Sequence, residues 1–162
     1  MKHIISVLVQ RNFNALFRII GLFSGRGFNI DSISFGEGEE PGLARVTITT
    51  EGDDQIIEQI TKQLHKLVDV IKVVNLTYEP FVERELALIK VASTLSNRAE
   101  IIQVVNIFRA NIIDISPKTL TIEVTGKADK VDAALGMIRA FGLLEVARTG
   151  NVALKREFQG IT

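Results

Sequence analysis

The chain has 162 residues, 46% hydrophobic and 23% charged, enough for one or two domains with real cores and too apolar for a disordered chain. Nineteen basic residues balance nineteen acidic ones, so no net field draws the chain to nucleic acid or to an anionic membrane. The absence of cysteine excludes disulfides, thiolate nucleophiles and Cys-ligated metals, and fits a reducing setting. Met1-Lys2-His3 leads into a strand pattern with no apolar leader, and no apolar run reaches the roughly 20 residues that span a bilayer. A soluble cytoplasmic protein with no nucleic-acid or membrane partner is expected.

Residues 4–9 form an apolar, β-branched run, the pattern of a buried strand. A short polar loop, Arg11-Asn12-Phe13-Asn14, then runs into a helix whose Leu16, Ile19, Ile20 and Phe23 recur at the spacing of one face. Backbone N–H groups at such a junction lack intrahelical partners and sit at the positive end of the helix dipole, which suits a small carboxylate. The alternative is a strand-to-helix turn that binds nothing. Ser24-Gly25-Arg26-Gly27 closes the helix, since glycine takes the left-handed conformation. These glycines follow a helix rather than open one, so they are no nucleotide fingerprint.

Residues 28–35 read as a strand with a bulge or bend near Asp31. Glu37, Glu39 and Glu40 lie in a polar turn, read as a solvated loop because no histidine or firm ligand spacing accompanies them. Residues 44–50 alternate cleanly as a half-buried strand. Asp53 or Asp54 caps a second helix with Ile56, Ile57, Ile60, Leu64 and Leu67 as its stripe, and residues 68–76 make the fourth strand. Residues 77–82 read as a linker.

The second half repeats the order. Residues 84–93 form a strand, Asn97 and Glu100 a possible capping box, and Ile101, Val105 and Phe108 an inward face. Strands follow at 111–115 and 120–126, then a helix with Val131, Ala134, Leu135 and Ile138, closed by Gly142, and a last strand at 143–149. Val152, Leu154 and Phe158 are the apolar members of a tail that docks on the body or a neighbour. The expected fold is α+β, two tandem ferredoxin-like βαββαβ domains at 1–77 and 83–150 with a tail at 151–162. Cores this small have sheet edges to protect, so a dimer at least is expected.

No catalytic constellation is visible. His3 is expected to be exposed at a strand start and His65 to lie on a charged helix face. No nucleophile elbow, His-Glu-x-x-His helix or phosphate loop occurs. Arg45 and Arg84 are candidate anion holders, although a strand arginine is usually solvated or paired with a carboxylate. The pattern favours a binding module over an enzyme.

Several stretches carry a family resemblance over nearly the full length: residues 3–9, Ala15-Leu16-Phe17-Arg18, residues 21–30, 62–70, 82–86 and 145–150. In these the chain resembles the small regulatory subunits of acetohydroxyacid (acetolactate) synthase. The resemblance implies an N-terminal ACT domain and a smaller ACT-like domain, with no catalytic or metal residues and no cofactor on this chain. Thiamine diphosphate, Mg2+ and FAD are implied on the large catalytic partner, which such subunits bind, activate and usually make sensitive to valine in branched-chain amino-acid biosynthesis. The effector is implied to sit between two ACT domains of a homodimer, with Arg11, Asn14, Ala15 and Leu16 from one chain and Asn29 and Ile30 from the other.

This loop departs from the family pattern, which reads Asn at position 11, Gly at 14 and a small polar residue at 17, where this chain has Arg11, Asn14 and Phe17. Asn tolerates positive φ, but its side chain projects where glycine leaves space. Weakened or lost valine feedback with activation retained is therefore expected. The competing classes are a free-standing amino-acid-sensing ACT protein acting on another target, and a small enzyme on the same scaffold, since fold does not fix function.

Overall fold

The structure is a computed structural model that describes residues 1–157. The chain divides into two compact units, one of Met1–Val82 with the segment from Asn151 onward, the other Glu83–Gly150.

The first unit contains β1 (Lys2–Gln10), α1 (Phe13–Gly25), β2 (Ser32–Glu37), β3 (Leu43–Glu51), α2 (Asp54–His65) and β4 (Val70–Asn75). Its strands lie in the order β2-β3-β1-β4, with β1 central and antiparallel to β3 and β4. That central place explains why His3 to Val9 are all buried. Ile5, Val7 and Val9 meet Ala44, Val46 and Ile48 of β3 and the helix residues Ala15, Ile19, Phe23, Ile57, Ile60 and Leu64 in one core. Fully burying a side chain such as Phe23 contributes about 1.5–3 kcal/mol.

The second unit repeats this plan with β5 (Phe81–Ala92), α3 (Arg98–Ile107), β6 (Asn111–Ile115), β7 (Thr119–Gly126), α4 (Ala128–Ile138) and β8 (Leu143–Arg148). Its order, β6-β7-β5-β8, is the same as that of the first sheet, and its core gathers Ile89, Val91, Ile101, Val105, Ile122, Val124, Val131 and Leu135. The doubled ferredoxin-like α+β fold expected from the sequence is the fold found.

Several local expectations need correction. The strand read from residue 28 begins only at Ser32. Before it, Phe28 and Ile30 pack on the core from a loop, pinned by Asp31 N–H to the Thr49 carbonyl (2.8 Å) and by the Thr50 hydroxyl, which donates to the Asn29 carbonyl. Ile20 is 38% exposed, because the buried line of α1 runs through Ala15, Ile19 and Phe23 at i, i+4 and i+8. The fourth strand starts at Val70 and ends at Asn75.

The segment read as a linker is folded. Leu76–Tyr78 forms a 3-10 turn, Leu76 is buried with Ile4 and Ala153, and Thr77 Oγ1 accepts from Ile4 N–H at 3.1 Å. His3 is fully buried rather than exposed: its Nε2 lies 3.2 Å from the Gly52 carbonyl, and Tyr78 meets its ring edge-on. In the tail, β9 (Val152–Lys155) turns Ala153 inward and leaves Val152 and Leu154 half-exposed, so within this chain it is Ala153 that docks on the body. Arg156 N–H donates to the Pro80 carbonyl (2.8 Å) and Lys155 pairs with Glu79. Phe158 lies outside the described residues.

Candidate functional site

The junction between β1 and α1 is built from both backbone and side chains. Gln10 N–H donates to the Asp69 carbonyl (2.9 Å) and Arg11 N–H to the Gly42 carbonyl (2.8 Å), which fixes where the chain leaves the sheet. Asn12, extended at φ −149° and ψ 157°, is the N-cap of α1; its Oδ1 accepts from Ala15 N–H at 2.7 Å. The N–H groups of Phe13 and Asn14 donate to no acceptor among the described residues. The first turns of α2, α3 and α4 hold Asp54, Glu100 and Asp129 respectively, whereas that of α1 has no acidic residue. The positive end of α1 thus has no acid of its own, and the Asp69 carboxylate near its cap is taken up by Arg18 and Asn12; a helix start of this kind favours an anion.

Two cations flank this turn and both are engaged. Arg11 pairs with Glu37 at 3.1 Å, and Arg18 with Asp69 at 2.7 Å. Asn12 Nδ2 lies 3.5 Å from the other Asp69 oxygen. Asn14, Phe13 and Phe17 are exposed, the two phenyl groups at 79% and 68%, while Ala15 is buried and Leu16 half-buried.

Of the six residues expected at the site, Arg11, Asn14, Ala15 and Leu16 come together at the start of α1. Asn29 and Ile30 stand beyond its other end; Asn29 is exposed and Ile30 packs on the core. A helix of 13 residues separates the two groups by about 20 Å, far more than a small amino acid spans. Within one chain these are two half-sites.

Sequence reasoning placed Asn12 in the loop without giving it a role, and passed over Asp69. An Asn just before the first periodic residue is a readable cap signal for the first; Asp69 has no local signature, because its partners are more than fifty residues away.

The other candidates resolve structurally. Arg45 donates to Ser6 Oγ (2.9 Å) and pairs with Glu39 (2.6 Å), whose carboxyl its hydrogen bond holds below the usual carboxylate range. Arg84 donates to the neighbouring Glu83 carbonyl. Glu37 and Glu39 are therefore ion-paired, and no metal-binding group of acidic or histidine side chains occurs among the described residues. Asn97 does not cap α3 with its side chain; its Oδ1 takes the Thr94 N–H instead (2.7 Å). No helix among the described residues is long and apolar enough to cross a membrane.

Comparison with known proteins agrees with this architecture. Residues 5–72 match the family model described as an AHAS small subunit-like ACT domain, and residues 84–157 match that of the small subunit of acetolactate synthase. A probable acetolactate synthase small subunit from Methanothermobacter thermautotrophicus is 55% identical over 155 residues, 95% of this chain and 92% of the relative. The acetolactate synthase small subunit of Aquifex aeolicus is 50% identical over 157 residues, 96% of this chain and 82% of the relative. The crystal structure of the Thermotoga maritima small subunit superimposes with a TM-score of 0.89 at 45% identity, covering 98% of this chain and 99% of that one. With both halves matched and relatives of this identity along nearly its whole length, the chain belongs to the acetolactate synthase small-subunit family.

Proposed function

We propose that this chain is the non-catalytic regulatory subunit of an acetolactate synthase, a cytoplasmic homodimer that binds and activates the large catalytic subunit and serves branched-chain amino-acid synthesis. Thiamine diphosphate, Mg2+ and FAD belong to the catalytic partner on this reading. The observation that carries the effector site is the separation of its two halves by the length of α1, together with the absence of an acid from the first turn of that helix. A second copy is what brings Asn29 and Ile30 to the loop of the first. The N–H groups of Phe13 and Asn14 then take the effector carboxylate, and the Asn29 side-chain oxygen accepts from its ammonium.

Valine is the effector class that fits, and this loop binds it weakly. Asn14 adds a side chain where the family pattern has glycine, Arg11 adds a charge already spent on Glu37, and Phe17 adds an exposed ring one turn into the helix. Activation survives because it uses other surfaces. Co-purification of the chain with its catalytic subunit, and saturable stimulation of acetolactate formation on titration, test the assignment; absence of both at every ratio would refute it. Calorimetric titration with valine tests the second part, and tight binding by the wild-type loop would refute the weakened site.

A further inference from the structure

The two repeats share the backbone bonds by which β1 and β5 leave their sheets, although the loop that follows is three residues longer in the second repeat. Ala92 N–H donates to the Gly142 carbonyl (2.8 Å) as Gln10 N–H does to that of Asp69, and Ser93 N–H to the Lys118 carbonyl (2.8 Å) as Arg11 N–H does to that of Gly42. The registers agree, since Val9 faces Val70 after a shift at Leu8/Val9, and Val91 faces Leu143 after a shift at Lys90/Val91. Asp69 therefore occupies the place of Gly142. The second repeat has a glycine in the left-handed region at this corner (φ 103°), so a carboxylate is no part of the bonds the two repeats share.

That carboxylate is nevertheless nearly buried, with its side chain 13% exposed, a position that costs desolvation unless donors meet it. Both donors come from the start of α1, Arg18 Nη1 in its second turn at 2.7 Å and Asn12 Nδ2 at its N-cap at 3.5 Å, while Asn12 caps the helix with its other side-chain atom. We propose that Asp69 is the positioning residue of the amino-acid site: through Arg18 and Asn12 its carboxylate holds the first turn of α1 so that the Phe13 and Asn14 N–H groups stay presented to a ligand carboxylate. As a site for an amino acid this rests on the function proposed above; as a restraint on the loop it stands on the geometry alone.

The test uses Asp69→Asn and Asp69→Gly in the full chain, the latter importing the residue of the second repeat. Amide exchange is followed by mass spectrometry in residues 11–18 and, as an internal reference, in residues 43–51. Loss of the charge-assisted bonds raises exchange in 11–18 by about tenfold and leaves 43–51 protected, and Asp69→Glu, which keeps the charge, recovers part of the protection. Unchanged exchange in 11–18, or equal loss in both segments, overturns the proposal. Valine titration of wild type and Asp69→Asn separates the two layers. A wild-type chain that binds valine about tenfold more tightly than Asp69→Asn supports positioning for the ligand, and equal binding by both overturns it. If the wild type binds no branched-chain amino acid, the site reading fails, and the exchange result alone decides whether Asp69 holds the loop.

Discussion

The loop from β1 to α1 and the loop from β5 to α3 stand at the same corner of two copies of one fold, yet they spend their polar groups differently. The second bonds mostly within itself: Thr94 N–H meets Asn97 Oδ1 at 2.7 Å, Thr94 and Ser96 share a hydroxyl bond at 2.8 Å, and Arg98 reaches Ser93 Oγ (3.0 Å), with one further arm to the Ser116 carbonyl (2.8 Å). Its helix brings its own acid, Glu100, to the dipole. The first loop is tied instead to distant segments, through Arg11 to Glu37 and through Arg18 and Asn12 to Asp69, and its helix start has no acid. Matching strand-end bonds thus lead into one corner whose helix supplies its own acid and one whose helix supplies none.

Substitutions at paired positions sharpen this contrast. Asn12→Ala removes the side-chain cap of α1 and should cost about 1 kcal/mol in urea denaturation, whereas Asn97→Ala should cost clearly less, because Asn97 bonds an exposed turn amide and does not cap α3. Equal costs would mean that the two corners are built alike. A comparable effect of opposite sign is expected just past the helix ends. Arg109 has φ 52° after α3, where Gly27 has φ 70° after α1. Arg109→Gly should stabilise by about 1 kcal/mol and Gly27→Ala should destabilise by a similar amount, read as shifts in thermal midpoint.

The smallest effect is electrostatic. The hydrogen bond from Arg45 lowers the Glu39 pKa from its ordinary 4.5, so the folded state binds its proton less readily than the unfolded chain. The stabilisation is present above about pH 4.5 and is lost as pH falls through the lower folded value. Since the Glu39 side chain is 40% exposed, it amounts to about 0.3 kcal/mol. The stability difference between wild type and Glu39→Gln should therefore vanish on acidification; a difference that grows would contradict the pairing.

Periodicity made the strands, helices and doubled order legible, because each apolar stripe in the sequence has a single face to bury. It failed where burial comes from distant chain. Phe28 and Ile30 alternate like strand residues but pack from a loop, and His3 looks like a polar strand start until the 3-10 turn at Leu76–Tyr78 covers it. Ile20 sits one residue from the buried line of α1, a rotation of about 100° that a short apolar run does not reveal. At the site, the loop and its departures from the family pattern were legible, but the hold on that loop was not. Asp69 lies in the turn before β4, and only the equivalence of Asp69 with Gly142, visible in paired backbone bonds, marks its carboxylate as an addition to the fold.

The central claim is that this chain activates a catalytic subunit while three loop residues blunt its response to valine. The most direct measurement is acetolactate formation by the cognate catalytic subunit, with wild-type chain or with the combined Arg11→Asn, Asn14→Gly and Phe17→Ser variant titrated in, each with and without valine. The account predicts saturable activation by both chains and strong valine inhibition only with the variant. Equal and strong inhibition through the wild-type chain, or no activation by either, would contradict it.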